Sequence, residues 1–215
     1  GLGRGRAGAK GREVSPALLS LSESVAAHAR TQPGRPAARD SKRALTWAQW
    51  DDRTNRLANA LLGLGLVKGD RVALLAHNAL EWLELYAALS RAGLVAVPVN
   101  FRLAAPEVAY IVQHAEARAF VVQERLRGVV EGVRAELPVL PGAWICFGHD
   151  TVPPGWQDYE TLIADAAPAP PAVVVDPQDL FALMYTSGTT GRPKGAMRSQ
   201  GGNALIALCT ALEFG

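Results

Sequence analysis

The sequence predicts an α/β fold, in which a mainly parallel β-sheet is flanked by helices. Short apolar runs, such as Arg71–Ala76 and Val95–Val99, alternate along the chain with segments of helical periodicity. These runs contain few alternating polar residues, which is typical of strands covered by helices on both faces. We therefore expect helices on both sides of the sheet.

The composition indicates a folded protein and excludes several classes of function. Of the 215 residues, 49% are apolar and 20% are charged, with 22 Lys+Arg against 20 Asp+Glu. The apolar fraction is too high, and the net charge of +2 too small, for a disordered chain. A charge so close to zero gives no reason to expect a nucleic-acid partner. No run of 18 apolar residues occurs, so no transmembrane segment is predicted.

Neither the histidines nor the cysteines indicate a metal site. The four histidines are scattered without the short spacing of metal ligands: His28, His77, His114 and His149. Cys146 and Cys209 form neither a disulfide framework nor a zinc motif. We expect both to be small buried residues, and we expect a reducing, cytoplasmic location.

The chain begins with a stretch that is expected to be a basic, glycine-rich tail, residues 1–14. Its first twelve residues include four basic residues and five glycines, and no apolar stretch follows that would make a signal peptide. Ser15 can cap a first helix that has Pro16 at its first position, and this helix is expected to end before Pro33.

Turn and capping signals define the next elements. Asp40-Ser41-Lys42 lies between two short runs and predicts a β-hairpin. Thr46 and Gln49 have the spacing of a capping box. Apolar residues then recur every three or four positions to Leu64, which predicts a helix with Gly65 just beyond its end.

Two further helices are predicted between strands. Asn78, with Glu81 three residues later, indicates the start of one helix, which stops at Gly93. Pro106 opens the other, for which Ala105 is a poor cap. Two later apolar runs are predicted as strands: Ala119–Val122 and Trp144–Phe147.

Charged residues in these helices have simple structural interpretations. Glu81 and Glu84 lie on one helix face near its start and are expected to interact favourably with the helix dipole. Arg53 and Arg56 are expected to be solvated surface residues.

An Ala/Pro-rich stretch, Ala166–Pro171, is predicted to be a linker between two units. The first unit would be an α/β subdomain over residues 15–172, and the second would occupy residues 173–215. The second unit ends in a predicted helix, Asn203–Phe214, which is apolar on nearly every side and therefore expects burial.

One segment of the second unit carries chemistry. A predicted strand, Asp179–Tyr185, is followed by Thr186-Ser187-Gly188-Thr189-Thr190-Gly191-Arg192-Pro193-Lys194. Small residues let backbone N–H groups approach an anion, the hydroxyls add donors and the lysine adds a charge. A surface turn is the alternative, because these residue types also form turns. The order of the residues and the preceding strand favour a polyphosphate-binding loop, although Pro193 stands where a Walker motif would have glycine.

This segment, Tyr185 to Gly195, resembles the phosphate-loop signature of AMP-forming adenylating enzymes. That superfamily includes acyl-CoA synthetases, the adenylation domains of peptide synthetases and firefly luciferase. Further segments stand in the order expected of acyl-CoA synthetases: Leu45-Thr46-Trp47, Asn55-Arg56-Leu57-Ala58, Lys68-Gly69-Asp70-Arg71-Val72-Ala73, Ala92-Gly93 and Val97-Pro98-Val99-Asn100. The resemblance runs from Ser15 to the C-terminus and implies the N-terminal part of the large domain of an adenylate-forming enzyme. Asn100-Phe101-Arg102-Leu103 and Met197-Arg198-Ser199 are closer to fatty or aromatic acyl-CoA ligases.

The resemblance implies a ligase that activates a carboxylic acid, fatty or aromatic, with ATP and Mg²⁺. The first product is acyl-AMP with pyrophosphate, and the second step transfers the acyl group to coenzyme A. The residues implied to hold the β- and γ-phosphates are Thr186, Ser187, Gly188, Thr189, Thr190, Gly191 and Lys194. Lys194 is implied to act catalytically by stabilising the charge of the departing pyrophosphate. No residue is assigned as a metal ligand.

The same resemblance implies that the chain is an N-terminal fragment. In the family, the regions that bind adenine, ribose and the acyl group lie beyond the phosphate loop, so they would be partners missing from this chain. One lysine supplies about 1–4 kcal/mol at intermediate screening, whereas enzymes need ~8–23 kcal/mol. The fragment alone is therefore expected to be inactive. The alternatives are an ATP- or pyrophosphate-binding module and a non-catalytic remnant that associates through its apolar end.

One position departs from the family pattern. Ligases of this kind often carry histidine shortly after the Met-x-Ser/Thr segment, where this chain has Gln200. Glutamine cannot carry charge, so activity would be lost if that position serves protonation or substrate closure. If the position only forms hydrogen bonds, glutamine can replace histidine.

Overall fold

The computed structural model describes residues 20–186 and 192–214. Its helices are α1 (Leu21–Thr31), α2 (Trp47–Gly63), α3 (Leu80–Ala92), α4 (Ala105–His114), α5 (Arg127–Glu131), α6 (Tyr159–Asp165) and α7 (Gln200–Phe214). Its strands are β1 (Pro36–Arg39), β2 (Ala44–Thr46), β3 (Arg71–Leu75), β4 (Val95–Val99), β5 (Ala117–Gln123), β6 (Trp144–Phe147), β7 (Gln157–Asp158), β8 (Leu180–Thr186) and β9 (Lys194–Ser199).

Most of the strands form one sheet, in the order β7-β6-β5-β3-β4-β8-β9. Neighbouring strands are parallel from β7 to β8, and β9 runs antiparallel to β8. Strands β1 and β2 form a separate antiparallel hairpin. The predicted α/β fold with a mainly parallel sheet is confirmed.

Helices cover the sheet on both faces, as the apolar strands predict. Successive side chains of a strand point to opposite faces. Leu74 of β3 packs in one buried cluster with residues of α2, α3 and α6, whereas its neighbour Leu75 packs in another with residues of α4. Full burial of a leucine side chain is worth about 1.5–3 kcal/mol. The two apolar layers therefore fix the sheet between the helices.

Several helix boundaries follow the predicted signals. Thr46 and Gln49 form the complete capping box of α2, with Thr46 Oγ1 accepting from the Gln49 backbone and Gln49 Oε1 accepting from the Thr46 backbone. Gly65 has φ of +90° just after this helix, and Gly93 has φ of +65° at the end of α3. Both glycines adopt the left-handed conformation that ends a helix.

Three predicted helix starts are different in the structure. Ala79, not Asn78, is the N-cap of α3, and no side chain caps it. Ala104, not Ala105, precedes α4, and its backbone N–H donates to the Glu107 carboxylate. The first helix begins after Ser20, whose hydroxyl accepts from Glu23, while the predicted cap Ser15 lies outside the described residues.

A charged cluster lies buried where the hairpin and three helices meet. The Glu84 side chain of α3 is fully buried, and its carboxylate accepts hydrogen bonds from Arg43 at 2.8 Å and from Arg53 at 2.6 Å. The buried Tyr159 hydroxyl of α6 donates to the same carboxylate at 2.9 Å. The interpretation of Glu84 as a helix-dipole residue is therefore incomplete, and that of Arg53 as a solvated residue is wrong. Both assignments missed partners that are distant in sequence.

The electrostatics of this cluster favour the charged carboxylate. Burial by itself would raise the pKa of Glu84, but the hydrogen bonds and charges of Arg43 and Arg53 lower that pKa below its ordinary value. Burial and the adjacent Glu84 charge raise the pKa of the Tyr159 hydroxyl. Tyr159 therefore remains a hydrogen-bond donor to Glu84.

Some of the segments that resemble acyl-CoA synthetases serve the packing of the fold. The Lys68 ammonium pairs with Asp179 at 2.7 Å, which ties the turn before β3 to the start of β8. The Gly69 N–H donates to the Gly93 carbonyl at 2.8 Å. A Cβ atom added to Gly93 would lie 2.9 Å from the Lys68 side chain, so only glycine leaves room for this contact.

Helix α7 differs from the sequence expectation. Its first residue, Gln200, is buried, but four of its large apolar residues are exposed: Leu205, Ile206, Leu208 and Leu212. Cys209 is exposed on the same helix, contrary to the prediction, whereas Cys146 is buried as predicted. Among the described residues, no helix combines the length and the apolar character that crossing a membrane would require.

Candidate phosphate-binding site

The predicted loop joins the ends of an antiparallel strand pair. Strands β8 and β9 pair from Leu180 and Ser199 to Thr186 and Lys194, with a shift in register between Leu180 and Ala182. Thr186 and Lys194 are therefore directly opposite each other at the end of the pair, and cross-strand partners share one face of a sheet. Both residues are exposed. The structure thus brings together the first and last of the predicted phosphate-binding residues.

The remaining predicted binding residues lie outside the described part of the chain. They are Ser187, Gly188, Thr189, Thr190 and Gly191. Their roles stay predictions.

The opposite face of the same strand pair packs against α4. Tyr185 precedes Thr186 and pairs with Gly195, and its hydroxyl is 2.7 Å from His114 Nδ1. A Cβ atom added to Gly195 would lie 3.2 Å from the Tyr185 ring, which is closer than such contacts normally come. Gly195 therefore gives the Tyr185 ring the space it occupies.

The exposed face has the chemistry that an anion requires. The Thr186 hydroxyl can donate a hydrogen bond, and the Lys194 ammonium carries a positive charge and three donors. None of the ion pairs within 4.0 Å among the described residues involves Lys194. Within residues 20–186 and 192–214, no group of three or more His, Cys, Asp or Glu side chains could hold a metal ion.

Comparison with known proteins identifies the family. The family model described as "AMP-binding enzyme" matches residues 25–214. The chain belongs to the AMP-binding enzyme family. The matched range includes both the covered sheet and the β8–β9 pair, so the resemblance seen in the sequence is confirmed.

Relatives of this AMP-binding chain are ligases for different carboxylic acids. It is 36% identical over 193 residues to an indoleacetate–CoA ligase of Aromatoleum aromaticum, covering 88% of this chain and 37% of that protein. It is 35% identical over 182 residues to the fatty acid–acyl-carrier-protein ligase ScoC of Streptomyces coeruleorubidus, covering 85% and 33%. Among solved structures, the anthranilate CoA ligase AuaEII in complex with anthranoyl-AMP aligns with a TM-score of 0.84 at 27% identity, covering 90% of this chain and 37% of that one.

The AMP-binding chain spans about a third of the length of the curated relatives it matches. It corresponds to the N-terminal portion of these larger enzymes.

Gln200, the departure from the family pattern, has a structural role in this AMP-binding chain. Its side chain is buried, and its Oε1 accepts from the Ser90 hydroxyl of α3 at 2.8 Å. Its backbone N–H donates to the Asp179 carbonyl at 2.9 Å. The residue therefore fixes the start of α7 to α3 and to the start of β8. Hydrogen bonding, the second of the two alternatives for this position, agrees with this arrangement.

The buried hydrogen bond between Ser90 and Gln200 should contribute measurably to the stability of the chain. Replacing Ser90 with alanine should lower the free energy of unfolding by about 1–3 kcal/mol, because it leaves a buried acceptor without a donor. Adding Gln200→Leu should recover part of that loss, since both polar partners are then removed. Urea unfolding followed by tryptophan fluorescence measures both variants. A double variant that is no more stable than Ser90→Ala would show that the hydrogen bond is not the cause.

Two residues near the site were not recognised from the sequence. The sequence showed His114 only as one of four scattered histidines without the spacing of metal ligands, yet its ring contacts the Tyr185 hydroxyl. Tyr110 donates to the Pro193 carbonyl at 3.3 Å. The only sequence signal was their spacing of four, which places both side chains on one face of a helix. That spacing does not indicate which surface the face contacts.

Proposed function

We propose that this chain provides the nucleotide-phosphate site of a ligase that activates a carboxylic acid with ATP. The observation that carries the proposal is the exposed pair of Thr186 and Lys194 at the end of the β8–β9 strand pair, within a chain of the AMP-binding family. The proposed site comprises Thr186, Ser187, Gly188, Thr189, Thr190, Gly191 and Lys194. Residues 173–215 would be the start of the subdomain that carries it, after residues 15–172 and a basic tail at 1–14.

The proposed reaction has two steps. A carboxylate oxygen attacks the α-phosphorus of ATP, and the bond to the bridging oxygen of the β-phosphate breaks to give acyl-AMP and pyrophosphate. The thiol of coenzyme A then attacks the acyl carbon, loses its proton and displaces AMP. The anthranoyl-AMP bound by the solved relative is an acyl adenylate of this kind.

The chain's own residues act mainly in the first step. Lys194 holds the β- and γ-phosphates by charge, and Thr186 donates a hydrogen bond on the same face. As the bond to the α-phosphorus breaks, negative charge grows on the departing pyrophosphate, and Lys194 stabilises that charge. Bound Mg²⁺ would neutralise further phosphate charge. Magnesium often enters with phosphates and few protein ligands, which agrees with a site built from hydroxyls and a lysine.

The names of the relatives indicate the chemical classes of the acid and of the acyl acceptor. The relatives' names include an aryl acetate, an aromatic acid and fatty acids, so we propose a fatty or aromatic acid. Coenzyme A is the proposed acceptor, since the indoleacetate and anthranilate enzymes are both CoA ligases.

The proposal is tested on the 215-residue chain and on a full-length ligase that carries it. Magnesium ATP should raise the melting temperature of the chain without any exchange of labelled pyrophosphate into ATP. In the full-length enzyme, exchange should depend on an added acid, with indoleacetate and a fatty acid as the first to try. If the full-length enzyme exchanges pyrophosphate into ATP without an added acid, or shows no exchange at all, the proposed ligase activity is wrong. Production of acyl-CoA by the pure 215-residue chain would contradict our expectation that this chain alone is inactive.

One observation favours a second candidate for the isolated chain. The exposed apolar side chains of α7 form a surface that normally requires a cover. The second candidate is a non-catalytic chain that associates with itself through α7. In that case the chain would self-associate, and magnesium ATP would not stabilise it. Sedimentation at several concentrations, with and without magnesium ATP, distinguishes it from nucleotide binding.

A further inference from the structure

Helix α4 contacts both strands that lead into the phosphate loop. His114 Nδ1 is 2.7 Å from the Tyr185 hydroxyl on the β8 side, and the Tyr110 hydroxyl donates to the Pro193 carbonyl on the β9 side. Tyr185 immediately precedes Thr186, and Pro193 immediately precedes Lys194. We call these two hydrogen bonds the anchor contacts. Each lies one residue from a proposed phosphate ligand.

The anchor contacts come from one face of the helix and are supported by aromatic packing. The rings of Tyr110 and His114 lie 5.5 Å apart, and the His114 ring meets the Tyr185 ring edge-on at 5.7 Å. The guanidinium of Arg192 lies 5.5 Å from the centre of the Tyr110 ring. The four side chains thus form a continuous contact between α4 and the strand pair.

Near its loop end the strand pair is supported through α4, because Leu183 and Tyr185 pack against the apolar cluster that contains α4 residues. The register pair between β8 and the neighbouring strand β4 is Ala96 with Ala182, four residues before Thr186. Beyond Ala182, the contact of Tyr185 is with His114 of α4. Residues that bind phosphate must be held in a fixed geometry to bind it tightly. The support of the loop end, where Thr186 and Lys194 lie, therefore affects the affinity for phosphate.

We propose that Tyr110 and His114 are positioning residues of the phosphate site: through the anchor contacts they fix the face that carries Thr186 and Lys194. This inference rests on the proposed function. Their hydrogen bonds are with Tyr185 and with the Pro193 carbonyl, each next to a proposed phosphate-binding residue, so their effect passes through Tyr185 and Pro193. Removing either anchor contact leaves the charge of the site unchanged but loosens its geometry.

The test uses the 215-residue chain with magnesium pyrophosphate as the probe in calorimetric titration. Tyr110→Phe and His114→Leu should each weaken binding by about two- to tenfold, the range that one hydrogen bond supports. His114→Asn, whose amide can reach the Tyr185 hydroxyl, should restore binding to within about twofold. Tyr86→Phe is the matched control, because its hydroxyl has no hydrogen-bond partner among the described residues. Backbone amide exchange at Thr186 and Lys194 should become faster in the two anchor variants only.

Lys194→Ala separates this inference from the proposed function. If Lys194→Ala weakens binding while the anchor variants bind like Tyr86→Phe, the positioning role is wrong and the phosphate site stands. If the anchor variants weaken binding and Lys194→Ala does not, the assigned role of Lys194 is wrong and the positioning role stands. If the unmodified chain binds no pyrophosphate, the proposed phosphate site is wrong. If, in addition, amide exchange at Thr186 and Lys194 is the same in the anchor variants as in the unmodified chain, the positioning role of Tyr110 and His114 is also wrong. If His114→Asn binds pyrophosphate as weakly as His114→Leu, loss of the hydrogen bond to Tyr185 is not the cause of the weaker binding.

Discussion

Replacing Lys194 with alanine should slow acyl-AMP formation by about 5- to 1,000-fold in a full-length ligase that carries this chain. The range follows from the ~1–4 kcal/mol that one charge contributes beside a phosphate and from a tenfold rate change for each ~1.4 kcal/mol. Thioester formation from supplied acyl-AMP should be almost unchanged, because pyrophosphate has left before the thiol attacks. Pyrophosphate exchange measures the first step, and release of AMP on addition of coenzyme A measures the second.

Arg192→Ala provides the matched control for this prediction. It removes the same charge two residues earlier, from a side chain that lies against the Tyr110 ring. It should slow acyl-AMP formation far less than Lys194→Ala does. Equal losses in both half-reactions of Lys194→Ala would contradict the assignment, since they would indicate general damage to the fold. Equal losses in the two variants would contradict a specific role of Lys194, since they would show that loss of a nearby charge or of the Arg192–Tyr110 contact has the same effect.

The fold was predictable where short-range signals determine it. Thr46 and Gln49 are three residues apart, so the signal for their capping box lies within four consecutive residues. Gly93 ends α3 because a left-handed residue is needed there and glycine adopts that conformation without strain. The apolar runs identified the buried strands, since a strand that is covered on both faces needs few polar residues.

Contacts between distant residues were not predictable. Glu84 meets residues that lie 31, 41 and 75 positions away in the sequence, and no local pattern links them. Cys209 was expected to be buried because its neighbours are apolar, but only the start of α7 packs against the rest of the described chain. At the site, the motif predicted Thr186 and Lys194, whereas the contacts of α4 with Tyr185 and Pro193 were not predictable because they depend on where the strand pair lies.

The largest stability effect should come from the buried charged cluster. Glu84→Ala should lower the free energy of unfolding by about 3–5 kcal/mol, because it leaves two arginines partly buried beside an empty position. The Tyr159 hydroxyl, which is fully buried, also loses its acceptor. Folded domains are stable by only about 5–15 kcal/mol, so this loss is a large fraction of the total. Denaturation in urea, followed by tryptophan fluorescence, measures it.

Glu160→Ala tests whether the stability loss expected for Glu84→Ala comes from burial of the ion pair or from the loss of any ion pair. Glu160 also pairs with Arg53, at 2.8 Å, but its side chain is 57% exposed, so its removal should cost no more than about 1 kcal/mol. If Glu84→Ala and Glu160→Ala lower the free energy of unfolding by similar amounts, burial of Glu84 does not determine the size of its effect.

The pH dependence of stability gives an independent measurement of the same carboxylate. The pKa of Glu84 is lowered in the folded state by Arg43 and Arg53, despite burial, which by itself would raise it. Its contribution is therefore fully present above the unfolded pKa of about 4.3 and is lost as the pH falls through the lower pKa of the folded state. Glu84→Gln keeps the shape but cannot titrate, so its stability should fall less steeply below about pH 4.3 than that of the unmodified chain. Identical slopes in that range would mean that Glu84 is not held in its charged form by the two arginines.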